Sequence, residues 1–280
     1  MKTSKVWYVT GASQGLGLFL VKKLLERGYQ VAATSRNTLA LNAAVGSIGS
    51  GQFLPLAVDL TNPDSVDESF QQTIRAFGQI DVLVNNAGYG VTGAIEEISE
   101  LDIQQVFNVN VLALIDVCKS VLPIMRSQRS GNIINIGSIA GISGAPGWSV
   151  YAATKAAVAA FSEVLALEVQ EFGIKVTSVE PSGFRTGFLT GSSLVYRESK
   201  IFGYHAIKET QQRYLANDGK QAGDPDRAAE ILISLAEEEK PPLRLFLGKD
   251  AYLRASEKLD ATTLALEAWK KVTLSSDYPD

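Results

Sequence analysis

The 280-residue chain is poor in the residues on which several chemistries depend. Cys118 is its one cysteine, which excludes an internal disulfide and fits a reducing, cytoplasmic compartment. His205 is its one histidine, so no multi-histidine or structural-zinc metal site is expected. The formal net charge is -4 and no basic cluster stands out, which argues against nucleic acid as a partner. No apolar run of transmembrane length is expected, and hence no membrane partner. Met1 to Lys5 are polar and lead straight into an apolar run, so no signal peptide is expected. Linkers rich in Pro, Gly or Ser, internal repeats and charge blocks are also missing. With 46 % hydrophobic residues and alternating strand and helix patterns to about residue 250, the chain reads as one α/β domain over 1–280.

What is present begins with Tyr151-Ala152-Ala153-Thr154-Lys155, with Ser138 thirteen positions earlier. Tyr151 and Lys155 are one helical turn apart, roughly 6 Å of rise, and leave the same helix face. A lysine ammonium there is expected to lower the phenol from its ordinary value near ~10 and make it a general acid/base. Ser138 would donate a hydrogen bond to the same substrate oxygen.

The amino-terminal pattern predicts a dinucleotide site. Val6 to Thr10 read as a buried strand, followed by Gly11-Ala12-Ser13-Gln14-Gly15-Leu16-Gly17 and a helix pattern stopped by Gly28. Glycines let a backbone approach a pyrophosphate, and the helix start offers N–H groups and a positive dipole end. The second strand, Gln30 to Thr34, ends in Ser35-Arg36-Asn37 where an acidic residue would bind the ribose of NAD. A guanidinium pairs with a 2′-phosphate instead, so NADP(H) is the expected cofactor.

These residues, with Asn85-Asn86-Ala87-Gly88, Asn110 and Pro181-Ser182-Gly183 in order, resemble the short-chain dehydrogenase/reductase family over roughly residues 5 to 250. The match is most similar to the branch of 17β-hydroxysteroid and retinol dehydrogenases and bacterial relatives. The resemblance implies a doubly wound Rossmann α/β fold of three layers, with a carboxyl-terminal helical extension at 249–280. It also implies a catalytic Asn110, Ser138, Tyr151 and Lys155. It places the cofactor on Gly11, Ser13, Gln14, Gly15, Leu16, Gly17, Ser35, Arg36, Asn37, Asp59, Leu60, Asn86, Ala87, Gly88, Tyr151, Lys155, Pro181, Gly183 and Thr186. Asn110 is expected to kink its helix and to hold a water leading to Lys155. Ala113 and Ser182 stand where relatives usually have glycine. A homodimer or homotetramer through helices near 101–127 and 150–172 is implied by the same analogy.

Residues 184–222 lie where the family places its substrate lid. They carry Phe184, Phe188, Leu189, Leu194, Tyr196, Phe202, Tyr204 and Tyr214, which suggests a lipophilic ketone, aldehyde or alcohol. The same aromatics are also consistent with ordinary core under a lid. Two alternatives stay open: a 3-ketoacyl carrier-protein or thioester reductase, and an NADP(H)-binding sensor without turnover. A serine hydrolase is disfavoured, because Gly141-Ile142-Ser143-Gly144-Ala145 lacks the final glycine of the nucleophile turn.

Overall fold

The computed structural model describes residues 5–46, 51–189 and 193–278. The first strand, β1 (Val6–Val9), is wholly buried and alternates between two cores: Trp7 and Val9 face one, Tyr8 the other. A strand covered on both faces belongs to a parallel sheet between helical layers. The chain continues through α1 (Gly15–Glu26), β2 (Gln30–Ser35), α2 (Thr38–Val45), β3 (Phe53–Ala57), α3 (Pro63–Phe77) and β4 (Val82–Asn85). Then come β5 (Gly90–Thr92), α4 (Glu100–Phe107), α5 (Ala113–Gln128), β6 (Gly131–Ile136), α6 (Ser149–Val169) and β7 (Ile174–Pro181). The last elements are β8 (Leu194–Tyr196), α7 (His205–Ala216), α8 (Pro225–Glu237), β9 (Arg244–Leu247) and α9 (Lys249–Leu274).

Seven strands form one parallel sheet in the order β3-β2-β1-β4-β6-β7-β9, the expected doubly wound Rossmann-type fold. One helical layer is built from α1, α2 and α8, through Leu20, Leu24, Leu41, Leu232 and Ile233. The opposite layer is built from α3, α5 and α6, through Phe70, Val117, Val121, Val158 and Leu165. Strand order reverses between β1 and β4, which opens a crevice beyond their carboxyl ends where such sheets bind ligands.

Local signals set the element ends. Asn62 accepts hydrogen bonds from the N–H groups of Asp64 and Ser65, Pro63 opens α3, and Gly78 ends it in the left-handed region. Asp224 and Pro225 start α8 in the same way.

One sequence expectation is corrected. Segments Glu100–Gln128 and Ser149–Phe172 are each long and apolar enough to cross a bilayer by length and composition. Part of their apolar surface, including Leu114, Val121 and Leu165, buries against the sheet, while Leu101, Leu112, Val164 and Leu167 stay exposed. In the segment expected to form the lid, the described residues from 193 onward include a strand and a helix. β8 pairs in parallel with β5, Gly90 opposite Leu194, and α7 follows. α9 touches the body through Ala251 and Ala255, its buried residues, while Leu259, Leu264, Leu266 and Trp269 stay exposed.

Candidate active site

The turns after β1 and β4 are bonded to each other. Thr10 Oγ1 accepts from the N–H groups of Asn86 (3.0 Å) and Ala87 (3.1 Å). Asn86 Nδ2 donates back to the carbonyls of Thr10 (3.0 Å) and Gly11 (2.9 Å). Glycine is demanded where these turns meet. Gly11 holds φ +63°, and a Cβ on it would stand 2.7 Å from Ala87 Cα. A Cβ on Gly17 would stand 2.4 Å from Asn86 Nδ2.

A cavity of about 1430 Å³ opens over these turns and extends to Phe184–Leu189 and α7. Of the expected cofactor residues, Gly11, Ser13, Gln14, Gly15, Leu16, Ser35, Arg36, Asp59, Leu60, Asn86, Ala87, Gly88, Pro181, Gly183 and Thr186 line it. α1 opens at Gly15 without an acidic residue in its first turn or a side-chain cap. That start suits the anionic pyrophosphate of a dinucleotide. Arg36 is exposed, and its charge helps hold the Asp59 carboxyl below the ordinary range, after the hydrogen bonds from Thr61. Asp59 Oδ1 accepts from both the N–H (3.0 Å) and the hydroxyl (2.7 Å) of Thr61.

Three expected site residues lie outside the cavity wall. Gly17 is buried, and its role is the close approach of Asn86. Asn37 caps α2, its Oδ1 accepting from Ala40 N–H at 3.0 Å. Asn110 is 1 % exposed and sits in a π-turn, Asn108–Leu112, between α4 and α5. The expected distortion of the helix is therefore present at that position. Its Oδ1 accepts from Tyr89 N–H (3.0 Å), and its Nδ2 donates to Tyr89 O (2.9 Å) and Thr154 Oγ1 (3.1 Å). Ser182 is accommodated by its neighbour: a Cβ on Gly248 would stand 2.4 Å from Ser182 Oγ, so glycine at 248 makes the room.

Ser138, Tyr151 and Lys155 meet on the cavity floor, 9 %, 7 % and 5 % exposed. Tyr151 and Lys155 come from the first two turns of α6, as their spacing predicts, with Lys155 Nζ 5.8 Å from the tyrosine ring centre. Lys155 Nζ donates to Ile136 O at 2.7 Å. Ser138 follows β6, and its Oγ accepts from Ala140 N–H at 3.1 Å.

The electrostatics correct the expected lowering of the phenol. Burial pushes the Tyr151 hydroxyl up, a hydrogen bond with Ser138 opposes this, and Glu180 and Tyr214 add to the rise. Burial also lowers the Lys155 ammonium to about 8, with Glu180 opposing. Desolvation of both groups outweighs the attraction that spacing alone suggests.

Around Tyr151, Trp148 lies edge-on with ring centres 5.5 Å apart, and Tyr214 lies 5.1 Å from Trp148. Phe188 is 5.9 Å from Tyr151. These rings wall the cavity, whose lining also includes Arg213, Lys220 and Arg254. His205 is not among the lining residues; it is exposed and packs edge-on to Phe202. Trp148, Thr61, Tyr89 and Glu180 also belong to the site or its support, and none of them falls in a motif the sequence marks. For Trp148 there is one local signal, its place three residues before the tyrosine.

The short chain dehydrogenase family matches residues 5–194. Oxidoreductase BOA17 of Botryotinia fuckeliana is 36 % identical over 273 residues, 98 % of this chain and 99 % of that protein. A 3-ketodihydrosphingosine reductase of Bacteroides thetaiotaomicron is 36 % identical over 248 residues, 86 % of each chain. The crystal structure of a short-chain dehydrogenase from Streptomyces avermitilis superimposes with a TM-score of 0.89 at 36 % identity, covering 98 % of this chain and all of that one. With relatives matched along nearly their whole length, and a dinucleotide crevice beside a Ser-Tyr-Lys floor, the chain belongs to the short-chain dehydrogenase family of oxidoreductases, which use NAD(P)(H).

Proposed function

We propose that the protein is an NADP(H)-dependent carbonyl reductase acting on a lipophilic ketone or aldehyde, or in reverse on the alcohol. The observation that carries this reading is the convergence of Ser138, Tyr151 and Lys155 under an aromatic wall in the dinucleotide cavity. A nicotinamide held in this cavity would supply or accept the hydride. Tyr151 gives its proton to the carbonyl oxygen, and Ser138 hydrogen-bonds and positions that oxygen. Lys155 holds positive charge beneath them. A phenol raised by burial stays protonated at neutral pH, which suits the reductive direction. Asn110 holds Tyr89 and the first turns of α6, through Thr154, in place around this floor.

Ser35 and Arg36 support NADP(H), because they line the cavity at the end of β2 and the nearby Asp59 is engaged by Thr61. Relatedness to a 3-ketodihydrosphingosine reductase supports a ketone as substrate. A second reading, reduction of a ketoacyl thioester, is favoured by Arg213, Lys220 and Arg254 in the cavity lining, where an anionic carrier group would be attracted. Leu101, Leu112, Val164 and Leu167 stay exposed on the two paired helical segments and support a homodimer or homotetramer.

The test follows NADPH and NADH consumption against a steroid ketone, retinal, an aryl ketone, a β-ketoester and a ketoacyl thioester. NADPH-dependent turnover of an apolar ketone is expected. Arg36→Ala should weaken NADPH binding about tenfold to a hundredfold, the loss of one charge-assisted contact, and leave NADH nearly unchanged. Preference for NADH in the wild type would overturn the cofactor assignment, and selective turnover of the thioester would favour the second reading.

A further inference from the structure

Glu180 lies near the end of β7, just before Pro181, and is 0 % exposed. A carboxylate is rarely buried in a parallel sheet unless something pairs it. Here its oxygens are both engaged. Oε2 accepts from the backbone N–H of Ser138 at 2.7 Å, and Oε1 accepts from Ser178 Oγ at 2.6 Å. The chain beside it is shaped for the acid: a Cβ on Gly137 would stand 2.2 Å from Oε2, so no residue but glycine leaves the carboxylate its place.

Few charged and titratable groups surround it among the described residues. α6 presents Lys155 and Tyr151, both buried. β9, which pairs with β7, presents Arg244, itself ion-paired with Glu163 of α6 at 2.5 Å. Tyr214 of α7 acts on Tyr151 from the cavity side. Lys155 is bonded to the carbonyl of Ile136, two residues before Ser138. The carboxylate and the ammonium thus grip the same short stretch, 136–138, from two sides.

We propose that Glu180 is a positioning residue of this centre: it fixes the Ser138 backbone through the N–H and is the buried counter-charge of Lys155. The proposal rests on the reading of Ser138, Tyr151 and Lys155 as the reacting floor. A buried ammonium without an anion beside it loses its proton more readily. Glu180 opposes the fall of Lys155 and adds to the rise of Tyr151, so removing its charge shifts both groups downward. The basic limb of the reduction rate, where Lys155 and Tyr151 lose their protons, then moves to lower pH. A purely structural acid would instead scale the rate at every pH alike.

Glu180→Gln keeps the size and an acceptor and removes the charge. The first readout needs no substrate: the ¹⁵Nζ resonance of Lys155, assigned by its loss in Lys155→Met, is titrated in the intact protein. In Glu180→Gln its midpoint should fall by about one unit from the wild-type value near 8, a tenfold loss of proton affinity. The basic limb of the kcat profile should move the same way. An unmoved Lys155 midpoint in folded Glu180→Gln overturns the proposal. If that variant does not fold, Glu180→Asp carries the test. It keeps the charge on a shorter arm, so the midpoint should hold while kcat falls at every pH as Ser138 loses its anchor. An aspartate variant with wild-type kcat overturns the anchoring role. Absence of carbonyl turnover in the wild type would count against the catalytic reading alone, since the resonance reports on Glu180 independently.

Discussion

Where the cavity meets the turns after β1 and β4, its wall is largely backbone, held by Thr10 and Asn86 and by glycines that tolerate no Cβ. Where it meets α7 and the segment before it, the wall is large side chains: Trp148, Phe188 and Tyr214. The first wall is specified by what is missing from the side chains, and a single methyl group is enough to disturb it. The second is specified by what the side chains fill, and it tolerates exchange of one ring for another. A dinucleotide presents the same groups every time, so its wall can be fixed.

The comparison can be broken in three places. The largest effect is expected where the walls meet. Tyr151→Phe removes the proposed proton donor and should lower kcat by about 10²–10⁴-fold with NADPH affinity nearly unchanged, read by steady-state kinetics and fluorescence titration. Next is the backbone wall. Gly11→Ala forces a side chain into φ +63° and against Ala87, and should destabilise the protein by about 2–4 kcal/mol in urea melts while weakening NADPH binding. Smallest is the side-chain wall. Phe188→Ala should raise KM for a lipophilic ketone about fivefold to thirtyfold, the loss of about 1–2 kcal/mol of apolar contact, and leave cofactor binding alone. If Phe188→Ala weakened NADPH as much as ketone, the division into two walls would fail.

Much of the backbone wall is legible in the amino-acid sequence alone. Gly11, Gly15 and Gly17 stand between a β-rich run and an apolar helix period, and those signals are local. The Tyr151 and Lys155 pair is legible for the same reason, since four residues on a helix fix a face. Their ionisation is not, because burial is a tertiary quantity, and burial dominates both groups. Asn37 follows the second strand where a cofactor contact is expected, but an asparagine just before a helix pattern is also a cap, which is the role it fills. Glu180 lies between Val179 and Pro181 with one local signal, a charge in a strand otherwise fit for burial on both faces. The pairing of β8 with β5 joins residues about a hundred positions apart, and no local pattern announces it.

α9 carries a last consequence. Its opening turns are pinned by Ala251 and Ala255 and by Arg254 reaching the carbonyl of Ser143. Beyond them the helix runs on with its leucines and Trp269 in solvent, held by hydrogen bonds along its own axis. Without tertiary support such a stretch rests on its own backbone hydrogen bonds and opens more readily than the docked turns. The helix is therefore two thermodynamic segments in one continuous rod. Amide protons should exchange slowly up to Ala255 and progressively faster from there toward Leu274.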